Sequence, residues 1–561
     1  MKKLFALTAM SSALFLAACG GGGDIKISAD NNSVVNNPDN GGGTPTTNNC
    51  ASYVKNAQTF RGTQDGVNCR YGTDFVSLTN PLENIANRVV FKDLSNSGVH
   101  IFSDSLVVGR SYNSDDELAA AGLEKGGDGA SIGIEAGATL AFNSSDDYIV
   151  INRGSQIFAE GELGNPVTIT SVSDAIEESV EPEDVQQWGG MIINGFGVTN
   201  KCAYTGSRGE ATISTSNCHV AAEGKAGAGQ SFYGGDNDAD SSGVLNYFVL
   251  KHSGAEVAPD NELNGISFNA VGSDTEVDFL QTYATYDDGI EFFGGAVNVS
   301  HFIGLYVRDD SLDIDEGYIG TIDYALIIQS ETDGNRCIES DGLGSYSSLS
   351  ADAKADFIAR GLNSRATIRN LTCIVSPSQV SGKADINGAD GTGTHEEGQG
   401  WRIREGHFVT IENAILTTAY LADQAPDNGN YCVRIDDEGL KAAQDGDLVI
   451  EQSVIACQDL TSGGTLPDTT TQLAFLQANN AVYQSAVEGE DPTPVSNAQL
   501  DILNGFYSLP LAETIVGGDV VELTPTSGRT FIGAVTEADD WTANWAYGLD
   551  PSNRGQALWF E

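Results

Sequence analysis

Aspartate and glutamate residues recur at a fixed spacing in the middle of the chain. The segment 286–295, Tyr-Asp-Asp-Gly-Ile-Glu-Phe-Phe-Gly-Gly, aligns with 308–317, Arg-Asp-Asp-Ser-Leu-Asp-Ile-Asp-Glu-Gly, at an offset of 22 residues. Because successive side chains of a strand face opposite ways, the apolar residues of each copy would face a core and the acidic ones would face away from it. Strands stacked about 4.8 Å apart would then place Glu291, Asp313 and, on the next copy, Glu339 in one column.

Such a column of like charges is destabilising unless something compensates it. Ca²⁺ binds about six to eight oxygen atoms, many of them from carboxylates, and it is the one cofactor that the sequence suggests. The alternative is a plain solvated surface, because a chain with 78 acidic and 28 basic residues carries carboxylates almost everywhere. The candidate Ca²⁺ ligands are the carboxylates of the two aligned copies: Asp287, Asp288, Glu291, Asp309, Asp310, Asp313 and Asp315.

Arginines occupy the matching outward positions of later copies. These positions become Arg402 and Arg404, and then Arg434. Glu339 and Arg404 could form a simple cross-strand ion pair. Acidic residues beside arginine on a β-helix face also resemble the sites of Ca²⁺-dependent polysaccharide lyases, and paired carboxylates can hydrolyse glycosides. In that alternative the catalytic residues would be Asp313, Glu339 and Arg404.

Short strands must position these residues. Residues Ile132–Ser171 alternate apolar and polar side chains in runs of about three to five residues broken by Gly or Asn, which is the period of strands. A second strand type recurs from Val244–Val249 to Val449–Val454, and repeats of 20–50 residues indicate solenoids. The sequence predicts an all-β, right-handed parallel β-helix with inserted loops, and short helices at Asp115–Leu123 and Ser348–Gly361.

The N-terminus has the features of an export signal. Lys2-Lys3 precedes an apolar stretch, residues 4–16, that is too short for a permanent membrane span. The sequence Leu16-Ala17-Ala18-Cys19 matches the lipobox of bacterial lipoproteins. That resemblance implies cleavage before Cys19, its lipidation, and anchoring in the outer membrane, at the periplasmic face or the cell surface. Residues 20–49 are rich in Gly, Asn and Thr and would form a flexible tether.

The cysteine count agrees with export. Nine cysteines minus Cys19 leave eight, an even number that suits disulfides in an oxidising compartment. A metal or redox site is disfavoured because no Cys-x-x-Cys occurs. The spacing suggests pairing between neighbours: Cys50–Cys69, Cys202–Cys218, Cys337–Cys373 and Cys432–Cys457.

Charge and composition exclude some functions. A net charge of −50 argues against a nucleic-acid partner, which requires a basic surface. The hydrophobic share of 40% is enough for a large core. We expect five regions: a signal peptide at 1–18, lipidated Cys19 and tether at 19–49, an N-terminal cap region at 50–130, the parallel β-helix at 131–460, and C-terminal loops and cap at 461–561.

Several motifs together resemble a large group of bacterial surface lipoproteins with a right-handed parallel β-helix. They are Arg153–Gly161, Asn165–Ser171, Trp188-Gly189-Gly190, and the tail at Phe531–Val535 with Trp541 and Trp545. Some members of that group resemble partners of TonB-dependent receptors, and the group has no shared catalytic signature.

The favoured hypothesis is therefore an outer-membrane-anchored protein, more a binder than an enzyme. It would bind or present a ligand together with an outer-membrane receptor or an extracellular polymer. The alternatives are a Ca²⁺-dependent polysaccharide lyase or glycoside hydrolase, and a passive structural or adhesive surface protein.

Overall fold

The computed structural model describes residues 48–83, 88–123, 125–224, 230–258, 261–331, 333–376, 399–417, 431–457, 459–484 and 500–561. The expected signal peptide, Cys19 and most of the tether lie outside these residues. The described residues belong to one unit, Asn48–Glu561. Within them, no helix is both long and apolar enough to cross a membrane.

Short strands make up most of residues 48–194. They are β1 (Ser52–Lys55), β2 (Gln58–Arg61), β3 (Thr63–Asp65), β4 (Asn68–Tyr71), β5 (Val89–Phe91), β6 (Val99–Phe102), β7 (Leu106–Val108), β8 (Ser131–Glu135), β9 (Thr139–Phe142), β10 (Ile149–Ile151), β11 (Gln156–Glu160), β12 (Val167–Ser171) and β13 (Met191–Asn194). Helices α1 (Asp115–Ala121) and α2 (Val172–Ala175) lie among them. Helix α1 begins where the Ser114 side chain accepts a hydrogen bond from the backbone N–H of Glu117, and it ends at Gly122, which has a φ of 71°. The first predicted helix is confirmed.

Residues 195–376 contain the longest strands. The elements are β14 (Tyr204–Thr205), β15 (Ser214–Thr215), β16 (Val220–Ala221), β17 (Phe232–Tyr233), β18 (Gly243–Lys251), β19 (Ala255–Ala258), β20 (Asn261–Leu263), β21 (Ile266–Asn269), β22 (Glu276–Tyr283), β23 (Ile290–Phe293), β24 (Asn298–Leu305), β25 (Leu312–Asp315), β26 (Thr321–Ile328), β27 (Arg336–Asp341) and β28 (Thr367–Ile374), with α3 (Ala351–Ala359) and a 3-10 turn (Tyr346–Ser348). Helix α3 is N-capped by Ser350 and confirms the second predicted helix.

The remaining elements follow residue 398. They are β29 (Gln399–Arg404), β30 (Thr410–Glu412), β31 (Ile415–Thr417), β32 (Tyr431–Ile435), β33 (Val449–Glu451), β34 (Val454–Cys457), β35 (Asp459–Ser462), β36 (Ala481–Gln484), β37 (Leu500–Asp501), β38 (Leu503–Asn504), β39 (Tyr507–Ser508), β40 (Ile515–Val516) and β41 (Asp519–Val520), with α4 (Glu438–Asp445), α5 (Gln472–Gln477) and a 3-10 turn (Thr526–Gly528).

Two long sheets wind along the chain as a parallel β-helix, which confirms the predicted fold. The first sheet has ten strands, in the order β7, β10, β13, β21, β23, β25, β27, β29, β32 and β35, and every neighbouring pair is parallel. The second sheet has 18 strands. Along the middle of the chain, each coil contributes one strand to the first sheet and one long strand, or two short ones, to the second.

The 22-residue offset is the coil length at the centre of the molecule. Ile290 pairs with Leu312 and Phe292 with Ile314, and all four side chains are fully buried. Later coils are longer because loops and helix α3 are inserted between strands that keep the same register.

The β-helix extends beyond its expected boundaries at 131 and 460. Strands β5, β6 and β7 already pair in parallel with β8, β9 and β10, so the first full coil lies inside the expected cap region. Strand β36 pairs in parallel with β34 beyond residue 460. The sequence pattern did not locate the two ends of the β-helix because the strands there are only three or four residues long.

Each long strand of the second sheet bends at a residue in the left-handed region. Tyr247, Phe279, His301 and Tyr324 have φ values of 44° to 58°, which is costly for residues with a Cβ atom. Their rings stack coil upon coil, with centroid distances of 4.3, 4.4 and 4.9 Å. This stacking offsets the backbone cost and explains how non-glycine residues are tolerated at the bend.

The C-terminal segment covers apolar surface with Trp541, Trp545 and Trp559. It packs along the outer side of the second sheet, where Trp545 joins a buried cluster with Val249 and Ile303. The physical reason is that outward positions of these strands are apolar and must be covered.

All four disulfides inferred from spacing are present: Cys50–Cys69, Cys202–Cys218, Cys337–Cys373 and Cys432–Cys457. Two of them join strands of different sheets within the β-helix, β27 to β28 and β32 to β34. The other two close the N-terminal hairpin region and the insertion between β13 and β21.

Candidate functional site

The first sheet presents one continuous column of outward-facing residues. Its N-terminal part is apolar, with Val107, Val150 and Ile192 in register, and these three residues lie in a small hydrophobic cluster. From β21 onward the column is polar, then acidic, then basic: Ser267, Glu291, Asp313, Glu339, Arg402 and Arg434. The stacking predicted for Glu291, Asp313 and Glu339 is therefore present.

The acidic part of the column is not a solvated surface. Glu291 is 8% exposed and Glu339 is 9% exposed, and the turn residues Asp288 and Asp310 are 7% and 2% exposed. The insertion between β13 and β21 packs beside the column, where Tyr233 contacts Phe293 with ring centroids 6.1 Å apart. Burial of several like charges requires compensation by protons, cations or hydrogen bonds.

The turns before the strands form a ladder of side-chain to backbone hydrogen bonds. The Oδ1 atoms of Asn264, Asp288 and Asp310 each accept a hydrogen bond from a backbone N–H of the next coil, that of Asp288, Asp310 and Arg336 respectively, at 3.2, 3.0 and 2.7 Å. One oxygen of each aspartate is thus used to hold the coils together. The second oxygen remains for another partner.

Arginines compensate the C-terminal half of the acidic cluster. Arg336 Nη1 lies 3.0 Å from Asp310 Oδ2 and 2.6 Å from Glu339 Oε2. Arg404 Nη2 lies 2.8 Å from Glu339 Oε1, and Arg404 also donates two hydrogen bonds to Asp341 at 2.5 and 3.0 Å. The ion pair suggested for Glu339 and Arg404 exists, although Arg402, and not Arg404, stands directly opposite Glu339 in the sheet.

The carboxylates of the cluster lie close to one another along the column. Three overlapping groups have carboxylate oxygens that all lie within 4.8 Å of one another: Asp287, Asp288 and Asp309; Asp288, Glu291 and Asp313; and Asp310, Asp313 and Glu339. Asp313 belongs to two of these groups, and its buried Oδ1 atom has no hydrogen-bond partner. Asp313 is therefore the central carboxylate of the cluster.

The pKa values of these carboxyls follow from burial and mutual repulsion. Burial raises the pKa of Asp313 well above its ordinary value, and the nearby Glu339 and Asp310 raise it further. Burial also raises the pKa values of Asp288 and Glu291, and Asp313 contributes to both. In the absence of a cation, these groups hold protons at pH values where exposed carboxylates are ionised.

The insertion adds the acidic group of Glu223 to those of the repeat, and the insertion contacts Glu316 of the second repeat copy. Burial, Asp287 and Glu262 together raise the pKa of Glu223 to about 8. Glu316 is 1% exposed and is held by Thr199, Tyr233 and Lys201, at 2.6, 2.8 and 2.9 Å. Glu316 therefore fixes the insertion to the β-helix.

Asp315 stands apart from the other predicted ligands. It follows Asp313 by two residues and belongs to the next outward row, where its Oδ1 atom accepts a hydrogen bond from the backbone N–H of Glu316 at 2.5 Å. It is in none of the three oxygen groups. The other six predicted ligands all occur in these groups.

Sequence reasoning missed four residues of the site. Arg336 and Asp341 flank Glu339 on β27. Asp341 follows Glu339 by two residues, so strand alternation would have found it, whereas Arg336 precedes Glu339 by three residues and alternation alone assigns it to the opposite face. Asn264 lies 24 residues before Asp288 and could have been found as the Asx residue of the preceding turn. Glu223 has no repeat signal, because it lies in the insertion.

The residues of the catalytic alternative, Asp313, Glu339 and Arg404, lie close together, but the surroundings of Arg404 do not suit a catalytic base. Asp313 and Glu339 share one oxygen group with Asp310. Arg404 is fixed by Asp341 and Glu339, and these carboxylates raise its pKa above the ordinary arginine value, which is unfavourable for a base. His407 is fully buried, its Nε2 accepts the backbone N–H of Ala366 at 3.2 Å, and burial lowers its pKa to about 3, which indicates a structural role.

The residues present fit a hard divalent cation. Ca²⁺–oxygen distances of about 2.3–2.6 Å place ligand oxygens on opposite sides of the ion about 5 Å apart, close to the 4.8 Å limit of these groups. The available ligand atoms are carboxylate oxygens, which Ca²⁺ prefers. The buried Oδ1 atom of Asp313 accepts no hydrogen bond from the described residues, and a cation would be its partner.

Comparison with known proteins identifies the β-helix. Residues 118–448 match the profile of the pectate-lyase-like β-helix domain, a stretch that contains the whole acidic cluster and its arginines. No curated protein and no solved structure matches the chain.

Proposed function

Because the chain belongs to the pectate-lyase-like β-helix family, we propose that it is a cell-surface protein that binds an acidic extracellular polysaccharide through Ca²⁺. The carboxylates around Asp313 would hold the ion, and carboxylates of the polymer would complete its coordination. Arg402 and Arg434 continue the same column and would attract further anionic groups.

The single observation that carries this proposal is the position of Asp313 between two other carboxylate pairs, with a buried Oδ1 atom that has no hydrogen-bond partner among the described residues. A passive structural protein would gain nothing from such an arrangement, since buried like charges destabilise the fold. A cation removes the repulsion and supplies the missing partner at the same time.

The lipobox at Leu16–Cys19 supports the location. Lipidation of Cys19 would anchor the chain to the outer membrane, and residues 20–49 would leave the β-helix free to reach a polymer or an outer-membrane receptor such as a TonB-dependent one. Metabolic labelling with a fatty-acid probe tests the anchor, with Cys19→Ser as the matched variant. Label retained in Cys19→Ser would contradict it.

Polymer binding is tested by co-sedimentation of the full chain with insoluble acidic and neutral polysaccharides, in Ca²⁺ and in EGTA. We expect binding to acidic polymers in Ca²⁺ only, and its loss in Glu291→Gln. The matched control is Asp274→Asn, which changes an exposed turn aspartate outside the site. Binding that is equal in Ca²⁺ and EGTA would contradict the proposal.

A second candidate, a Ca²⁺-dependent polysaccharide lyase, is favoured by one observation. Burial and the neighbouring Arg404 and Arg336 lower the pKa of the Arg402 guanidinium. In a lyase, a base with a lowered pKa takes the proton next to the uronate carboxylate, and the glycosidic oxygen leaves. Arg402, not Arg404, is then the residue for this role.

The lyase candidate is tested by the appearance of unsaturated sugar ends from acidic polysaccharides in the presence of Ca²⁺. We expect Arg402→Lys to lower the rate and to leave co-sedimentation with the polymer unchanged. Absence of unsaturated product across a panel of acidic polymers that do co-sediment would remove this candidate and leave the binding function intact.

A further inference from the structure

A cavity lies on the second sheet, whereas the acidic column lies on the first. It has a volume of about 290 Å³ and opens between the second sheet and the C-terminal segment. Thr168 and Val249, which pair in register between β12 and β18, lie on its sheet side together with Lys251. Trp545 and Tyr547 of the C-terminal segment form the other side.

Lys251 is the charged group of this cavity, and it is only 8% exposed. Its ammonium group lies 2.7 Å from Asp174 Oδ2 and 4.0 Å from the centre of the Tyr547 ring. An ammonium group has three N–H donors. Asp174 accepts one of them and the Tyr547 ring faces another, so one donor is available to a ligand in the cavity.

Two further polar side chains of the cavity are available. The Thr168 hydroxyl and the Asn544 side-chain amide have no hydrogen-bond partner among the described residues, and both line the cavity. Together with Lys251 they offer donors and acceptors at several points around a small space. Asp550, at the edge, already accepts hydrogen bonds from Ser552 at 2.6 and 2.7 Å.

The charge of the lining favours a neutral ligand. Asp174 neutralises Lys251, so an anion finds no net positive charge, and Asp550 repels it. A cation would meet the ammonium group of Lys251. A ligand with many hydroxyl groups and apolar C–H faces matches both the separate polar groups and the two aromatic side chains.

We propose that this cavity is a binding site for a single neutral pyranose unit of a glycan. The volume is at the lower end for small-molecule pockets and suits one sugar ring. The site is independent of the acidic column: it lies on the other sheet, and it needs no metal ion. It would give the protein a second and chemically different binding site for surface polysaccharide.

The test is saturation-transfer NMR and calorimetric titration of the full chain, in a detergent without a sugar headgroup, with methyl glycosides of neutral hexoses. A ligand with about a dozen non-hydrogen atoms is expected to bind with a Kd on the order of 1 mM. Thr168→Val, at a half-buried residue, and Asn544→Ala, at an exposed one, should each weaken binding about fivefold. Lys251→Met should weaken it about tenfold.

Glu291→Gln, in the acidic column, should leave hexose binding unchanged, and EGTA should have no effect. This separates failure of the second site from failure of the Ca²⁺ site. Absence of binding by every neutral hexose, binding by charged sugars only, or unchanged affinity in both Thr168→Val and Asn544→Ala would each overturn the proposal.

Discussion

Substitution of Asp313 by Asn should stabilise the metal-free protein and weaken Ca²⁺ binding at the same time. Asp313 has carboxylate oxygens of Asp288, Glu291, Asp310 and Glu339 within 4.8 Å of its own. At that distance two full charges repel by about 3 kcal/mol with an effective dielectric constant of about 20. Protons already relieve part of this repulsion, since the pKa of Asp313 is raised.

We therefore expect the free energy of unfolding in EGTA to rise by about 1–2 kcal/mol, which corresponds to a Tm increase of about 1–3 °C in a chain of this size. Loss of a carboxylate shared by two oxygen groups should lower the Ca²⁺ affinity at least about tenfold. The stabilisation of the wild type by Ca²⁺, about 2.7 kcal/mol at a hundredfold excess over Kd, should shrink accordingly.

Differential scanning calorimetry of both proteins in EGTA and in Ca²⁺ measures the two effects. Asp274→Asn, an exposed turn residue, is the control and should change neither Tm. A lower Tm of Asp313→Asn in EGTA, combined with an undiminished Ca²⁺ shift, would refute the reasoning, because the carboxylate would then be stabilised by protein contacts alone.

Three further predictions concern stability. Carboxyls with raised pKa values stabilise the folded chain fully only below their ordinary pKa, and this contribution is lost as pH rises through the folded value. In EGTA, Tm should therefore fall between about pH 4.5 and pH 8, the ordinary and folded pKa values of Glu223. Glu223→Gln should flatten the upper part of a curve of Tm against pH. Arg336→Gln leaves the buried Asp310 without its arginine and Glu339 with Arg404 alone, and it should lower the free energy of unfolding by about 3–5 kcal/mol in urea titrations. Arg70→Gln, which breaks an exposed pair with Asp65, should cost less than about 1 kcal/mol. Gly243→Ala places a Cβ atom 1.9 Å from the Ile157 carbonyl oxygen at a φ of 111° and should cost at least about 2 kcal/mol; Gly209→Ala also has a positive φ but no atom within 4 Å, so a loss as large there would show that strain, not the clash, is responsible.

The repeat made the fold and the centre of the site predictable. A constant 22-residue offset fixes which side chains stack, so Glu291 and Asp313 could be placed in one column from the sequence. Strand alternation then assigned Glu291 and Asp313 to the outward face, opposite to the core residue Ile290. These inferences hold because the register of a parallel coil depends on spacing and alternation alone.

The surroundings of the site could not be predicted in the same way. The burial of the column depends on an insertion whose position carries no periodic signal, so Glu223 was missed. Arg336 lies at a turn where the coil spacing changes from 22 to 26 residues, as the pairing of Leu312 with Ile338 shows. The bend residues, such as His301, have left-handed backbone conformations that are tolerated because their rings stack between coils. The secondary-structure propensity of a single residue does not reveal such stacking.

The C-terminal tryptophans show a related limit. Their apolar character indicates that they cover hydrophobic surface, but a sequence does not tell which surface is left uncovered. Trp545 covers the side of the second sheet because Val249 and Ile303 face outward there.

Calorimetric titration of the full chain with Ca²⁺ at pH 7, in two buffers with different ionisation enthalpies, tests the central claim most directly. If the buried carboxylates around Asp313 hold the ion, binding should be saturable and should release protons, since groups with raised pKa values must give them up. The apparent enthalpy will then differ between the buffers. Saturable binding with no buffer dependence, or no binding at all, would contradict the assignment of this cluster as the Ca²⁺ site.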